Sequence, residues 1–255
     1  MGCGHRAGEV EGKCVLRLEA AAVLLPHPAK AQRGGEDAFF IEGCSVGVAD
    51  GGSGWAERGV NSGLFSRELL WNCGAVVREA EEFVAPAVVI EEALARTDLQ
   101  GSCSVTVAEL RGSTLHAANI GDSGFVVLRG GKTVERSRAM EHAFNAPSQI
   151  ATIGGDDPRE AELYAVEVQS RDILLLCTDG VFDNVFTDVI EGTLTEAQCE
   201  GKGPEEAAKR LMTVAQKNAA MTSGNSPYRE VARAAGSPHD GGRKDDISVL
   251  VAYVY

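Results

Sequence analysis

Hydrophobic positions along this chain recur with two different periods, and the changes between them divide it into blocks. Residues 14–25, CVLRLEAAAVLL, read as a strand closed by a turn at Pro26 and Pro28. DAFFIEG and CSVGVAD follow as two short strands joined at Glu42 and Gly43. From Gly63 to Phe83 the period lengthens. Phe65, Leu69, Cys73, Val76, Val77 and Ala80 stand three or four apart, which predicts an amphipathic helix. A second helix is predicted from Pro86, a residue suited to the first helical position, to near Asp98.

Strand patterning returns between Gly101 and Ser137 in SCSVTVAEL, STLHAANI, SGFVVLR and KTVER. The connections RGS, GDSG and GG are short and carry glycine, so each strand is expected to pair antiparallel with its sequence neighbour. Residues 138–162 lack a period and contain Pro147, Gly154, Gly155 and Pro158, the mark of a long surface excursion of the functional kind. LYAVEV and DILLLCTD are strands, helices dominate from Val185 to Ala235, and ISVLVAYVY ends the chain as a strand. Blocks of hairpins separated by helical pairs point to an α+β architecture. ILLLC and VLVAYV are apolar on both faces and are expected at the centre of sheets covered on both sides. Two mainly antiparallel sheets packed together, with helices outside them, meet that need in a single domain over 1–255, residues 1–13 forming a flexible N-terminal segment.

Composition narrows the partners. A hydrophobic fraction of 44% supports a substantial core. No apolar run approaches the ~20 residues of a membrane-spanning helix. Lys and Arg number 24 against 37 Asp and Glu, a net charge of -13, which argues against nucleic acid because no basic stripe exists to neutralise phosphates. The seven cysteines form no CxxC pair or zinc spacing, and an odd count at apolar positions fits a reducing compartment. Gly2 and Cys3 invite acylation, but Arg6 stands where that pattern needs Ser or Thr. No Arg-rich amphipathic transit segment is visible.

The candidate chemistry lies where apolar runs meet acidic residues. ILLLCTDGVFDN carries Asp179 and Asp183, VGVADGG carries Asp50, ANIGDSG carries Asp122, RKDDISVLVAYV carries Asp245 and Asp246, and RGGEDAFFI carries Glu36 and Asp37. One Asp-Gly after a strand is an ordinary turn. Five such segments raise the prospect of convergence at one rim. There, two carboxylates ~5 Å apart would repel by ~3 kcal/mol at an effective dielectric of roughly 20. No Lys or Arg lies in the Asp50 or Asp179 loops, so hard divalent cations with oxygen ligands are the expected occupants. Two ions sharing a water would lower its pKa and clamp a phosphoryl group. Arg33, three residues before Glu36, is the best-placed cation to grip the phosphate.

RGGEDAFF, GVADGGSGW, NIGDSGFVVLR, LLLCTDGVFDN and RKDDISVLVAYV resemble, in that order, the motif series of the metal-dependent protein phosphatases (PPM, or type 2C). The resemblance spans residues 30–254 and is nearest to the small branch that includes mitochondrial members. It implies a four-layer αββα sandwich and a serine/threonine phosphatase with two Mn²⁺ or Mg²⁺ ions at one rim, phosphoserine or phosphothreonine being attacked by a metal-bridging hydroxide. Carried over by motif, Asp50 bridges both ions with the Gly51 carbonyl on one of them, and Asp179 and Asp245 ligate the second. Glu36 and Asp37 hold metal-bound waters, while Asp122 and Asp183 match a weaker third ion. The implied partner is a phosphoprotein substrate, and the implied form is an intracellular monomer, mitochondrial or cytoplasmic.

Two departures stand out. Many type 2C enzymes carry His after the first Asp-Gly as the acid for the leaving alcohol, whereas Gly52 occupies that place here, and His142 and His239 read as ordinary surface histidines. Arg33 also stands one residue nearer Glu-Asp than in the commonest pattern. The missing acid supports an alternative, a pseudophosphatase that binds a phosphoprotein without turnover. Haloacid-dehalogenase chemistry fails because Cys177 replaces its nucleophilic Asp, and GEVEGKC is one residue short of a Walker loop.

Overall fold

The structure, a computed structural model, describes residues 16–255; the segment 1–13, with the acylation pattern at Gly2 and Cys3, lies outside the described residues. The elements run β1 (Leu18–Leu25), β2 (Asp37–Glu42), β3 (Ser45–Gly51), α1 (Ser62–Glu79), α2 (Pro86–Ala95), β4 (Ser102–Arg111), β5 (Thr114–Ile120), β6 (Gly124–Arg129) and β7 (Lys132–Arg136). Then come β8 (Glu141–Ala143), β9 (Ala146–Pro147), β10 (Ile150–Ala151), β11 (Glu162–Glu167) and β12 (Ile173–Cys177). The chain ends with α3 (Asp179–Phe182), α4 (Thr187–Cys199), α5 (Pro204–Ala219), α6 (Pro227–Ala234) and β13 (Ile247–Val254).

Two antiparallel sheets result. One has the order β1-β13-β12-β6-β7, the other β11-β5-β4-β3-β2 with β10 added beside β4. The alternation of side chains makes the layers. On β12, Leu174 and Leu176 join Val46, Val48, Phe125 and Leu250 in a core between the sheets. Ile173, Leu175 and Cys177 turn the other way, towards Ile190 and Leu194 of α4 and Leu211 of α5. The second sheet likewise buries Val105, Val107 and Ile120 beneath Phe65, Leu69 and Ile90 of α1 and α2. The expected αββα sandwich is present, with β12 and β13 central and wholly buried. Each fully buried Leu removes apolar surface worth about 1.5–3 kcal/mol, so the doubly covered strands anchor the fold.

One expected pairing is absent. β4 pairs with β5 and β6 with β7, but β5 and β6 lie in different sheets. GDSG is therefore a crossing and not a hairpin. Gly121, at φ 91°, lies so close to Ser104 that a Cβ there would stand 2.4 Å from the serine Cβ. The Ser104 and Ser123 hydroxyls then hydrogen-bond at 2.6 Å, tying the crossing to β4. A short Gly-rich link between strands signals a tight turn, and nothing in its spelling distinguishes a hairpin from a sheet-to-sheet step. The step delivers Asp122 to the rim.

Candidate metal centre

The rim is assembled from both sheets. Asp50 is the penultimate residue of β3, opposite Asp37 on β2 and Ser104 on β4. Asp179 opens α3 with one residue, Thr178, between it and β12, and Asp245 stands two residues before β13. Asp37 joins the two halves, because its Oδ2 accepts from Thr178 Oγ1 at 2.9 Å and from Ser248 Oγ at 2.7 Å. Asp50, Gly51, Asp122, Asp179 and Asp245 all line one cavity of about 640 Å³. Asp183, one turn beyond Asp179, lines the adjoining recess with Asp122 and Asp179.

Mutual repulsion follows from that convergence. Burial first, then the charges of Asp179, Asp37, Asp245 and Asp122, push the Asp50 carboxyl well above the usual carboxylate range. Burial and Asp179 raise Asp183 to about 8 and Asp122 to about 7. Asp37 is pushed to about 8, mainly by burial, against the lowering effect of its Ser248 and Thr178 hydrogen bonds. Asp179 is raised by burial, with Arg243 opposing the shift.

The sequence reading missed two cations that enter this crowd. Lys30 Nζ stands 2.7 Å from Glu36, 3.0 Å from Asp245 and 3.1 Å from Asp246. Burial works to lower its pKa, but Asp245, Glu36 and Asp246 outweigh it and the net shift is upward. Arg243 Nη1 stands 2.5 Å from both Asp179 and Asp183, with Nη2 3.4 Å from Asp245. The guanidinium also covers the Tyr228 ring at 5.1 Å. Lys30 is remote in sequence from the Asp50 motif, whereas Arg243 opens RKDD two residues before Asp245, where spacing alone does not show that it reaches Asp179 and Asp183.

Arg33 is the clearest correction. It is exposed at the end of a 3-10 turn (Ala31–Arg33) and does not line the cavity. Gly34 and Gly35, both at positive φ, reverse the chain between it and Glu36, and Gly35 packs where a Cβ would lie 2.8 Å from Asp246 Oδ1. Lys30, at the head of the same turn, lines the cavity where Arg33 does not. The adjacent Asp245 and Asp246 also separate in role. Asp245 faces the cavity, whereas buried Asp246 accepts from the backbone N–H groups of His27 and Glu36 and holds the turn. Glu36 and Asp37 are buried behind the cavity wall and are not among its lining residues.

Gly51 and Gly52 have structural reasons of their own. A Cβ on Gly51 would stand 2.8 Å from the Glu36 carbonyl and from Ser66 Oγ. A Cβ on Gly52 would stand 2.6 Å from Gln149 Oε1 and from Ser102 Oγ, so the wall holds a hydrogen-bond chain where a larger residue would project. Trp55 Nε1 donates to Ser102 Oγ at 2.8 Å, and Ser102 donates to Gln149 Oε1 at 2.6 Å. His142 also lines the cavity, its Nε2 2.9 Å from Asp156, while His239 Nε2 pairs with the Gly242 carbonyl at 3.1 Å.

Among the described residues, no three His, Cys, Asp or Glu side chains stand ready to hold an ion without rearrangement. The donor set nevertheless suits a hard divalent cation. It consists of carboxylates, and the buried oxygens Asp179 Oδ1, Asp37 Oδ1 and Glu36 Oε1 have no hydrogen-bond partner.

Relatives settle the family. The chain is 39% identical over 244 residues to probable protein phosphatase 2C 80 of Arabidopsis thaliana, covering 94% of this chain and 59% of the relative. It is 35% identical over 255 residues to probable protein phosphatase 2C 26 of Arabidopsis thaliana, covering 94% and 84%. The chain belongs to the protein phosphatase 2C family. A family model described as stage II sporulation protein E (SpoIIE) matches residues 58–255. Among solved structures, the photosystem II phosphatase PBCP superposes with a TM-score of 0.87 at 35% identity, over 93% of this chain and 99% of that one. The catalytic domain of the serine/threonine phosphatase PstP, in complex with two manganese ions, shares the fold with a TM-score of 0.65 at 20% identity, over 94% and 99%. This type 2C chain spans between 42% and 59% of the length of the first three curated relatives it matches.

Proposed function

We propose that the protein is a Mn²⁺- or Mg²⁺-dependent serine/threonine phosphatase acting on phosphoproteins. The observation that carries this reading is the convergence of Asp50, Asp122, Asp179, Asp183 and Asp245, from both sheets, around one open cavity and its adjoining recess. Asp50, Asp179, Asp245 and the Gly51 carbonyl are the ligands proposed for two ions. Glu36 and Asp37 support them from behind, and Asp122 with Asp183 form the place for a weaker third. The type 2C relatives and the two manganese ions of PstP support that assignment. Bound there, such ions would lower the pKa of a shared water and neutralise charge on a phosphoryl group.

The remaining work falls to the chain itself. Lys30 and Arg243 line the cavity, and both must be drawn from carboxylate partners to meet a dianionic phosphate. Arg243 presents a planar fork that suits phosphoryl oxygens. Gln149 has its carbonyl oxygen fixed by Ser102, which leaves its amide N–H groups to donate over Gly52 towards the substrate. Five described cysteines are free, in keeping with an intracellular site of action, mitochondrial or cytoplasmic.

Hydrolysis of a phosphothreonine peptide is expected with Mn²⁺ or Mg²⁺ and is expected to stop with EDTA or in Asp179→Ala. Full turnover in EDTA would refute metal dependence. A second reading, binding without turnover, is favoured by Gly52 in place of an acid and by Arg243 seated between Asp179 and Asp183. An inactive protein in saturating Mn²⁺ that still binds the phosphopeptide would establish it.

A further inference from the structure

A second recess opens off the catalytic cavity and shares Asp122, Asp179 and Arg243 with it. It has a volume of about 210 Å³. That is below the ~300 Å³ at which whole small-molecule sites begin, and it is the right order for one large side chain. The strap carrying β8 and β9 forms one wall, α6 forms the other, and α3 contributes Phe182. Phe144, Phe182, Pro227, Tyr228 and Val231 supply its apolar surface.

These walls are held in place before any ligand arrives. Tyr228 lies between Arg243, at 5.1 Å from its ring, and the edge-on ring of His239 at 4.8 Å. Its backbone N–H donates to the Asp183 carbonyl at 3.0 Å. Phe144 leans on Tyr228 with ring centroids 5.7 Å apart, and Arg136 covers Phe182 at 4.5 Å. Ser226 caps α6 by accepting from the Arg229 N–H and anchors it by donating to the Gly241 carbonyl. Val231 is 53% exposed although it borders this apolar recess. A hollow with ordered apolar walls, bordered also by Asp122, Asp179, Asp183, Glu141, Arg136 and Arg243 and continuous with the cavity proposed for the phosphate, suits an extended chain whose phosphorylated side chain enters one and whose neighbour enters the other.

We infer that this recess is a specificity subsite for a bulky apolar side chain close in sequence to the phosphorylated residue. The inference rests on the phosphatase reading for the placement of the phosphate, while the subsite is measurable apart from turnover. The class of substrate is a phosphoserine or phosphothreonine peptide with Leu, Met or Phe within two residues of the phosphate. Apolar pockets discriminate by about ten- to two-hundredfold, so a preference of at least about tenfold over Ser at the same position is expected.

The test uses matched fluorescent phosphothreonine peptides with Leu or Ser placed at each of the flanking positions. Two quantities are read: kcat/KM in Mn²⁺, and Kd by anisotropy with the turnover-deficient Asp50→Asn protein. A Leu preference at one position is expected in both. It should fall towards unity in Val231→Asp and in Phe144→Ser, which alter opposite walls. Each variant is scored by the ratio of its two peptides, so a loss of folding or metal cancels. A Leu preference in Kd without hydrolysis by the wild type would retire the phosphatase reading and keep the subsite. Equal kcat/KM and equal Kd for all peptides, or a preference unchanged in both variants, would overturn it.

Discussion

The two ends of β12 carry the same residue in opposite circumstances. At its start, Asp172 is 1% exposed and fully matched. Arg129 donates through Nε at 3.0 Å and Nη2 at 2.7 Å, and the Gln169 N–H adds a third donor at 3.0 Å. At its finish, Asp179 is 5% exposed, shares one guanidinium with Asp183, and keeps Oδ1 without a partner. Burial alone therefore does not mark a functional aspartate. A buried carboxylate with its own fork of donors is architecture. One that must divide a single cation among several carboxylates is held in readiness for something else.

The contrast can be attacked from either end. Asp179→Ala is expected to reduce phosphopeptide kcat/KM by at least about a hundredfold, the scale for removing one preorganised electrostatic group. Asp172→Ala should leave activity near that of the unaltered protein, and comparable losses in both would erase the distinction. The next largest effect is expected with pH in the EDTA-treated protein. Asp122, Asp37 and Asp183 have folded pKa values raised to about 7, 8 and 8, so the folded state holds more protons than the unfolded one. Their contribution is present at low pH and is lost as pH rises from the ordinary carboxylate range through those values. Tm should accordingly fall between pH 5 and pH 8; a rising Tm would contradict the crowding.

Mn²⁺ is expected to reverse that loss. At a hundred times Kd the gain is about 2.7 kcal/mol, visible in thermal melts of the unaltered protein and of Asp172→Ala, and diminished in Asp179→Ala. The smallest effect belongs to the matched end. Asp172→Ala should cost about 2 kcal/mol in urea unfolding, since the orphaned Arg129 is over a third exposed and regains water. A cost near zero would mean that the pair adds nothing to stability.

Much of this was legible in the chain. Doubly apolar ILLLC and VLVAYV forecast central strands, and the strand-end position of Asp50, Asp179 and Asp245 forecast their meeting. What stayed hidden depends on three-dimensional return. Lys30 reaches Asp245 across 215 positions, and Arg243 reaches Asp179 across 64. Arg33 misled because sequence proximity to Glu36 gave no account of the reversal at Gly34 and Gly35. Likewise GDSG, a sheet-to-sheet step, is spelled like a hairpin turn, and the two aspartates of RKDD look alike until one of them is buried.

Because Asp50 is contributed by one sheet, Asp179 and Asp245 by the other, and Asp122 by the step between them, the gap separating the sheets sets the gap separating these carboxylates. Phe125, Leu174, Leu176 and Leu250 fill that gap and so act as the jaws of a calliper. Trimming one of them alters the aperture at the rim without touching a single acidic residue. The spacing of the acidic rim and the packing of the interior are thus two readings of one dimension.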